Sequence, residues 1–411
     1  MLHTTSCRDR TLTDTCDPPF HPGYGVDPPA LAGRDDLVDA ALDAVRAGPR
    51  GPGFIQAFVG DRGVGKTALL NEIERRVRAE LHWPVVTHQV VPGEPLLPVL
   101  ARRLADAASS GWQRAGRFVR ELDKALEVSA DLLVVRATAR VANRPSQRMP
   151  TTLAFEGVLR KIGEFASRRK SGVLVSIDEA HVLARADLAV LAASLQLAVK
   201  RSGLPIAVVF AGLSTFRRAG QGVGTFLERM PIRDVAYLSA ESTRYALVKP
   251  AADRGVSFGE DALELLVAES GGYPYLVQLL GYQTWRAAKG ASRIGLEHAR
   301  TGAAAAMAEM EALFQARWDG LSDLERDYLY AVARHGNGPV EVGEVQADLG
   351  RTSKQLAPIR ARLITEHHLL VPVRYGEVRM ALGRFGSWVA ARPEPSRARR
   401  RPPRNSRSVP S

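Results

Sequence analysis

Cysteine is almost absent from this chain: the only two, Cys7 and Cys16, lie near its amino terminus. Two thiols there cannot form a disulfide framework, and a structural metal site wants more ligands at closer spacing. They read as incidental thiols of a reducing compartment. No apolar run approaches the roughly 18 residues that cross a bilayer. Residues 1–30 also lack a basic start followed by an apolar stretch, so a secretory signal is not expected. There is no internal repeat, which sets aside solenoids and propellers. These absences point to a cytoplasmic protein with no membrane partner.

What remains is ordinary globular material. Hydrophobic residues make up 45% and charged residues 24% of 411, enough for a sizeable core and for two or three domains. The formal net charge is +12. From Arg392 onward seven Arg stand against one Glu, so half of the excess lies in a Pro/Ser/Arg tail that cannot form a core. Such a tail is a generic anion-binding arm and identifies no function by itself.

Residues 1–30 read as a disordered leader rich in Pro and turn formers. Order is expected to begin near Leu31, with an apolar helical pattern through Val45. Phe54 to Val59 is a short apolar run stopping at glycine, hence a buried strand, and Thr67 to Ala79 has helical spacing. Further strands are expected at Pro84–Val91, Gly172–Ile177, Ile206–Ala211 and Val235–Leu238, with helices between them. Residues 95–145 read as a helical elaboration. Alternation of this kind argues for a parallel sheet covered on both faces. After Leu238 the pattern is helical to Gln283, broken at Gly271-Gly272-Tyr273-Pro274, and a long helix covers roughly 296–318. Helices at Ser322–His335, Val342–Leu349 and Ser353–Glu366 then precede two β-like segments, Leu369–Arg374 and Glu377–Leu382, the pattern of a winged helix.

One segment carries specific chemistry. Gly60-Asp61-Arg62-Gly63-Val64-Gly65-Lys66-Thr67 fits G-x-x-x-x-G-K-[ST], with a strand before it and a helix after it. Its glycines let consecutive backbone N–H groups point at phosphate oxygens, and the helix start adds its positive dipole end. Lys66 offers charge to the β- and γ-phosphates, and Thr67 offers a hydroxyl to Mg²⁺. The strand Val173–Ile177 runs into Asp178 and Glu179. Asp178 suits a metal carboxylate at the sheet's carboxyl edge, and Glu179 suits a base that orients or deprotonates water. Simple helix capping is the bland reading of this acidic pair. His181 follows closely and reads as a packing or hydrogen-bonding group.

Together with Gly33-Arg34-Asp35-Asp36-Leu37 and Phe210-Ala211-Gly212-Leu213-Ser214-Thr215, these motifs resemble the AAA+ and STAND groups of P-loop ATPases. Among them the chain is most similar to bacterial and archaeal ATPases related to origin-recognition proteins, over about residues 30–390. The resemblance implies ATP and Mg²⁺ as ligands and a sensor role for Ser214 or Thr215. It implies that Arg229 stands where such ATPases carry an arginine finger, which would act within a homo-oligomer; a surface Arg capping a helix is the alternative. Initiator relatives carry an Arg on the lid helix, whereas here the matching stretch, Gly272-Tyr273-Pro274, resembles the G-x-P element of STAND switches. Pro274 then belongs to the nucleotide-sensing set.

The expected architecture is α/β: a three-layer P-loop core at 31–240, a helical lid at 241–295, a linker helix and winged helix at 296–391, and a basic disordered tail at 392–411. The third helix and its approach carry Arg351, Lys354, Arg360 and Arg362, and the wing carries Arg374 and Arg379. With the tail they could supply phosphate contacts to duplex DNA. Yet residues 321–391 hold nine Lys/Arg against eight Asp/Glu, and a committed DNA reader is more one-sided. The functional expectation is an ATP-dependent switch coupling nucleotide state to the winged helix. The alternatives are a DNA-handling ATPase of replication or mobile elements, a STAND-like hub, a non-hydrolysing nucleotide-binding module and, more weakly, a kinase.

Overall fold

The computed structural model describes residues 17–111 and 151–393, apart from Tyr24, Gln221, Gly222, Gly224 and Asn337. Cys7, Cys16, most of the expected 95–145 elaboration and the tail beyond Pro393 lie outside the described residues. The chain divides into two compact units, Met1–Ala306 and Met307–Ser411.

The first unit is built on strands β1 (Ile55–Val59), β2 (Val85–Gln89), β3 (Val173–Asp178), β4 (Ile206–Gly212) and β5 (Ile232–Asp234). They form one parallel sheet in the order β2-β3-β4-β1-β5. β1, β3 and β4 are buried along their whole length, as continuous apolar runs between two helical layers must be. Helices α1 (Asp35–Arg46), α2 (Lys66–Arg76), α3 (Leu96–Gly111), α4 (Thr151–Arg168) and α5 (Arg185–Leu195) belong to those layers. Their apolar stripes, such as Leu69, Leu70 and Ile73 on α2, join the strands in one core.

Three differences from the sequence reading have physical causes. The last strand is Ile232–Asp234, not Val235–Leu238. β1 stops at Gly60, so only Ala57, Phe58 and Val59 offer partners, and Val235 N–H donates the last bond to Val59 O at 2.7 Å. Beyond it, Leu238 N–H instead donates to Gly272 O at 2.8 Å. The lid is also more divided than expected. After two short helices, α6 (Phe216–Ala219) and α7 (Thr225–Glu228), come α8 (Ala240–Ala252), α9 (Glu260–Ser270) and α10 (Pro274–Ala288). A two-stranded parallel pair, β6 (Ser257–Phe258) and β7 (Arg293–Ile294), ties α9 to the start of α11 (Leu296–Asp319).

Third, the leader is ordered at least from Asp17, earlier than its composition suggests. Phe20 is 1% exposed and packs edge-on against Trp285 of α10. A Cβ at Gly281 would lie 2.5 Å from the Phe20 ring, so that helix position must be glycine. His21 N–H donates to Gln278 Oε1 at 3.0 Å, and Asn71 of α2 donates to the Asp27 carboxylate at 2.7 Å. The segment straps the lid helix to the helix that begins with Lys66. One buried aromatic supplies most of that attachment.

The second unit contains the end of α11, then α12 (Asp323–Arg334), β8 (Val340–Glu341), α13 (Val342–Leu349), α14 (Ser353–Thr365), β9 (Leu370–Pro372), β10 (Glu377–Met380) and α15 (Gly383–Ala390). Reciprocal capping boxes, Ser322 with Glu325, Glu341 with Glu344 and Thr352 with Gln355, start α12, α13 and α14. The antiparallel sheet has the order β8-β10-β9, one strand more than the expected hairpin. β8 was too short to show a period. Phe314, Phe385 and Trp388 form an aromatic cluster, with the Arg392 guanidinium 3.8 Å from the Trp388 ring centroid.

Replacing Phe20 by Ala should destabilise the lid attachment by about 3 kcal/mol. Hydrogen exchange over Pro274–Ala288 should then accelerate, while β3 and β4 stay protected. Unchanged exchange in α10 would contradict the strap.

Candidate active site

The turn between β1 and α2 is shaped by close approach. A Cβ on Gly60 would meet the Val235 carbonyl oxygen at 2.4 Å, and one on Gly63 would meet the Tyr273 hydroxyl at 2.2 Å. Gly63 and Gly65 adopt φ of 75° and 87°, the left-handed region open to glycine. Lys66 is buried, and its Nζ donates to Asp61 O at 2.7 Å and Gly60 O at 3.2 Å. The ammonium thus sits inside the loop's own carbonyl ring. Burial pulls its pKa below the usual lysine range, against the raising pull of Glu179, Asp178 and Asp61.

Asp178 ends β3, two strands from β1 across β4. Its Oδ2 accepts a hydrogen bond from Thr67 Oγ1 at 2.7 Å, and its Oδ1 accepts one from the Glu179 backbone N–H at 2.7 Å. Thr67 and Asp178 therefore present two hard oxygens to one point. Glu179 is held at φ 54°, a left-handed conformation that costs a non-glycine residue energy. Burial is the first cause raising its pKa above the ordinary carboxylate range, Asp178 the second, with Lys66 and Arg62 opposing.

Next to the loop, a cleft of about 350 Å³ is lined by Gly33, Arg34, Asp35, Asp36, Tyr237, Leu238, Ser239 and Ser242. Arg34 is buried and donates to Val64 O at 3.1 Å and Ala236 O at 2.5 Å. Its guanidinium ties the phosphate loop to the segment leaving β5.

Residues 30–209 match the AAA ATPase domain. Those residues are an AAA ATPase domain. Residues 311–389 match a domain of unknown function (DUF8462). No curated protein sequence matches the chain. Among solved structures, the ORC2 protein of Aeropyrum pernix, as ADPNP–ADP complexes, is 16% identical with a TM-score of 0.52, over 93% of this chain and 96% of that one. The Walker-type ATPase of Pyrococcus abyssi is 14% identical with a TM-score of 0.54, over 87% and 96% respectively. At those identities the likeness is one of fold, and the fold is that of a P-loop AAA+ ATPase.

Within the AAA domain the structure brings together Gly60–Thr67, Asp178 and Glu179. Beyond its end, Ser214 and Thr215 lie part-exposed in the turn after β4, where their carbonyls accept bonds from Arg217 N–H and Arg218 N–H. Pro274 is the first residue of α10, directly after Tyr273, whose hydroxyl rests on Gly63. Arg229 is exposed on the amino side of β5, away from the carboxyl edge that carries the loop.

His181 is the hydrogen-bonding group the sequence suggested, whereas Tyr273 was given no role of its own. His181 Nδ1 accepts from Leu213 N–H at 3.3 Å and lies 3.4 Å from Glu179 Oε2. An accepting Nδ1 carries no proton, so the ring meets Glu179 by packing. His181 and Leu213 join the ends of β3 and β4. A histidine three residues after the strand's final acid was the only signal.

Glu179→Gln should cut ATP turnover by about 10²–10⁴-fold with nucleotide affinity kept. Because a raised folded-state pKa means the charged form is disfavoured in the fold at neutral pH, the same change should raise the melting temperature. Turnover in the wild type should fall as pH drops through that raised pKa, a higher window than an ordinary carboxylate gives. A stopped assay of phosphate release across pH, with a thermal melt of both proteins, checks each point.

Proposed function

We propose that the chain is an ATP-binding and ATP-hydrolysing molecular switch. The observation that carries this reading is the Thr67–Asp178 contact at 2.7 Å, with Glu179 adjacent and Lys66 buried in the same loop. The oxygen pair fits Mg²⁺, which favours hard oxygens in octahedral geometry and completes its shell with water and phosphate oxygens. Bound there through Thr67 and Asp178, Mg²⁺ would neutralise charge on the β- and γ-phosphates.

The triphosphate replaces the Gly60 and Asp61 carbonyls as the partner of Lys66. Backbone N–H groups of Gly63, Gly65 and Lys66 cradle the phosphates. The cleft at Gly33, Arg34 and Tyr237 takes the nucleoside end. Glu179 orients the attacking water and accepts its proton, and Arg229 of a neighbouring copy in a homo-oligomer offsets charge on the γ-phosphate. Ser214 reports the γ-phosphate from the end of β4. With Tyr273 resting on Gly63 and Gly272 bonded to Leu238, phosphate binding acts directly on the start of α10. That contact, with Pro274, replaces the lid arginine of initiator ATPases as the nucleotide sensor.

In the second unit, α12, α13 and α14 with the β8-β10-β9 sheet support a winged helix as the output module. Several of its cations are engaged internally. Arg362 pairs with Glu325 at 3.2 Å and Glu366 at 3.3 Å, and Arg374 with Glu377 at 2.7 Å. Arg351 and Lys354 remain exposed at the start of α14. Duplex DNA read by α14, the second reading, therefore rests on those two residues and on the basic tail. Their joint replacement by Ala would lower the log–log salt slope of duplex binding by about 2.

Lys66→Ala should weaken binding of a fluorescent ATP analogue by about a hundredfold or more. Tyr273→Ala should leave binding measurable but remove the ATP-dependent protection of Pro274–Ala288 from hydrogen exchange. Wild-type protein that neither binds nor hydrolyses ATP would overturn the proposal.

A further inference from the structure

The two edges of the parallel sheet differ in charge. The carboxyl edge is mixed, with Asp61, Arg62, Lys66, Glu94 and Glu179 following β1, β2 and β3 and Asp178 ending β3. The amino edge is formed by the segments leading into the strands, which bond one another: Leu174 N–H donates to Pro84 O, Val173 N–H to Pro205 O, and Val208 N–H to Phe54 O. Those leading into β1 to β4 carry Arg50, Arg168, Arg169, Lys170 and Arg201, with His82, and no carboxylate. All six are exposed. Glu164, Asp43 and Glu80, on the helices that end at this edge, are already paired with Arg168, Arg46 and Arg76. Among the described residues, no ion pair engages Arg50, Arg169, Lys170 or Arg201.

Cations at helix ends can be mere complements to the helix dipole. Two observations go beyond that. His82 and Lys170 hold left-handed backbone at φ 54° and 53°, a position where glycine is the default and another residue meets a cost comparable to the dipole gain. The loops are also held from behind. Lys200 Nζ donates to Pro49 O at 3.0 Å and Gly51 O at 3.1 Å, fixing the backbone on both sides of Arg50. The Trp83 ring fills the space above Gly172, where a Cβ would meet it at 2.5 Å, fixing the segment that carries Lys170.

We infer that this amino edge is a docking surface for the phosphate backbone of nucleic acid, separate from the nucleotide site and from α14. In the sheet order β3-β4-β1, Lys170, Arg201 and Arg50 lie in the segments that lead into three adjacent strands. Exposed side chains on such segments reach successive phosphates without reading bases, so binding is sequence-independent and steeply salt-dependent. The inference does not rest on ATP turnover.

The test uses the full chain and fluorescence anisotropy with a random-sequence duplex between about 50 and 200 mM salt. The Arg50→Glu/Lys170→Glu/Arg201→Glu variant should lose about tenfold or more in affinity, and its log–log slope should flatten by about 2.7, three phosphate contacts' worth. Its melting temperature and affinity for a fluorescent ATP analogue should match the wild type, which separates loss of the surface from loss of the fold. The neutral triple Ala variant should fall between the two. Duplex binding by the Glu variant with wild-type affinity and slope overturns the inference, as does a wild type that binds no duplex at low salt. Loss of binding to phosphatidylserine vesicles with duplex binding intact also overturns it, in favour of a membrane surface.

Discussion

The active site depends on one topological constraint: β4 lies between β1 and β3. In a parallel sheet all three strands end at the same edge, so the loop after β1 and the acids after β3 flank a single intervening strand. Thr67 and Asp178, 111 positions apart, thereby meet in a hydrogen bond of 2.7 Å. Parallel strands must be joined by crossovers, and helices such as α2 and α4 lie on the faces of the sheet and leave this edge open. Move β4 to the outside and the phosphate loop would lose its acidic partner, whatever its glycines did.

That arrangement concentrates charge in a poorly hydrated place. Lys66, Asp61, Asp178 and Arg34 are all buried; Lys66 and Arg34 donate to carbonyls, and Asp178 accepts from a hydroxyl and an amide N–H. Buried charges of this kind persist only when paired. The pairings here are provisional in a chemical sense, since Lys66 holds its own loop's carbonyls and Asp178 holds a hydroxyl. Under the proposed function, a triphosphate with Mg²⁺ would exchange these internal partners for better ones. The left-handed Glu179 is part of the same economy, strained by the chain and steadied by its amide bond to Asp178 and by His181.

Much of this was legible in the sequence because the signals were local and strong. Gly60–Thr67 has a mechanical reason for nearly every residue, and β1, β3 and β4 are apolar runs bounded by glycine or acid. What escaped was non-local. Val235–Leu238 looked like a strand because it is apolar, but β1 had no backbone left to pair it. Phe20 lies in a Pro-rich segment whose composition suggests disorder, and only its fit against Gly281 and Trp285 shows otherwise. His181 and Tyr273 gain their roles from Leu213 and Gly63, neighbours that no spacing rule connects. In the second unit, Arg362 and Arg374 looked free for phosphate until Glu325 and Glu377 proved to be their partners.

The claim at the centre is that Thr67 and Asp178 form the oxygen pair for Mg²⁺. The most direct measurement compares the affinity of a fluorescent ATP analogue with Mg²⁺ and with excess chelator, in wild type and in Thr67→Val. Valine keeps the shape and removes the hydroxyl. The expected result is that Mg²⁺ tightens binding in the wild type and has little or no effect in the variant. An equal gain from Mg²⁺ in both proteins would contradict the assignment.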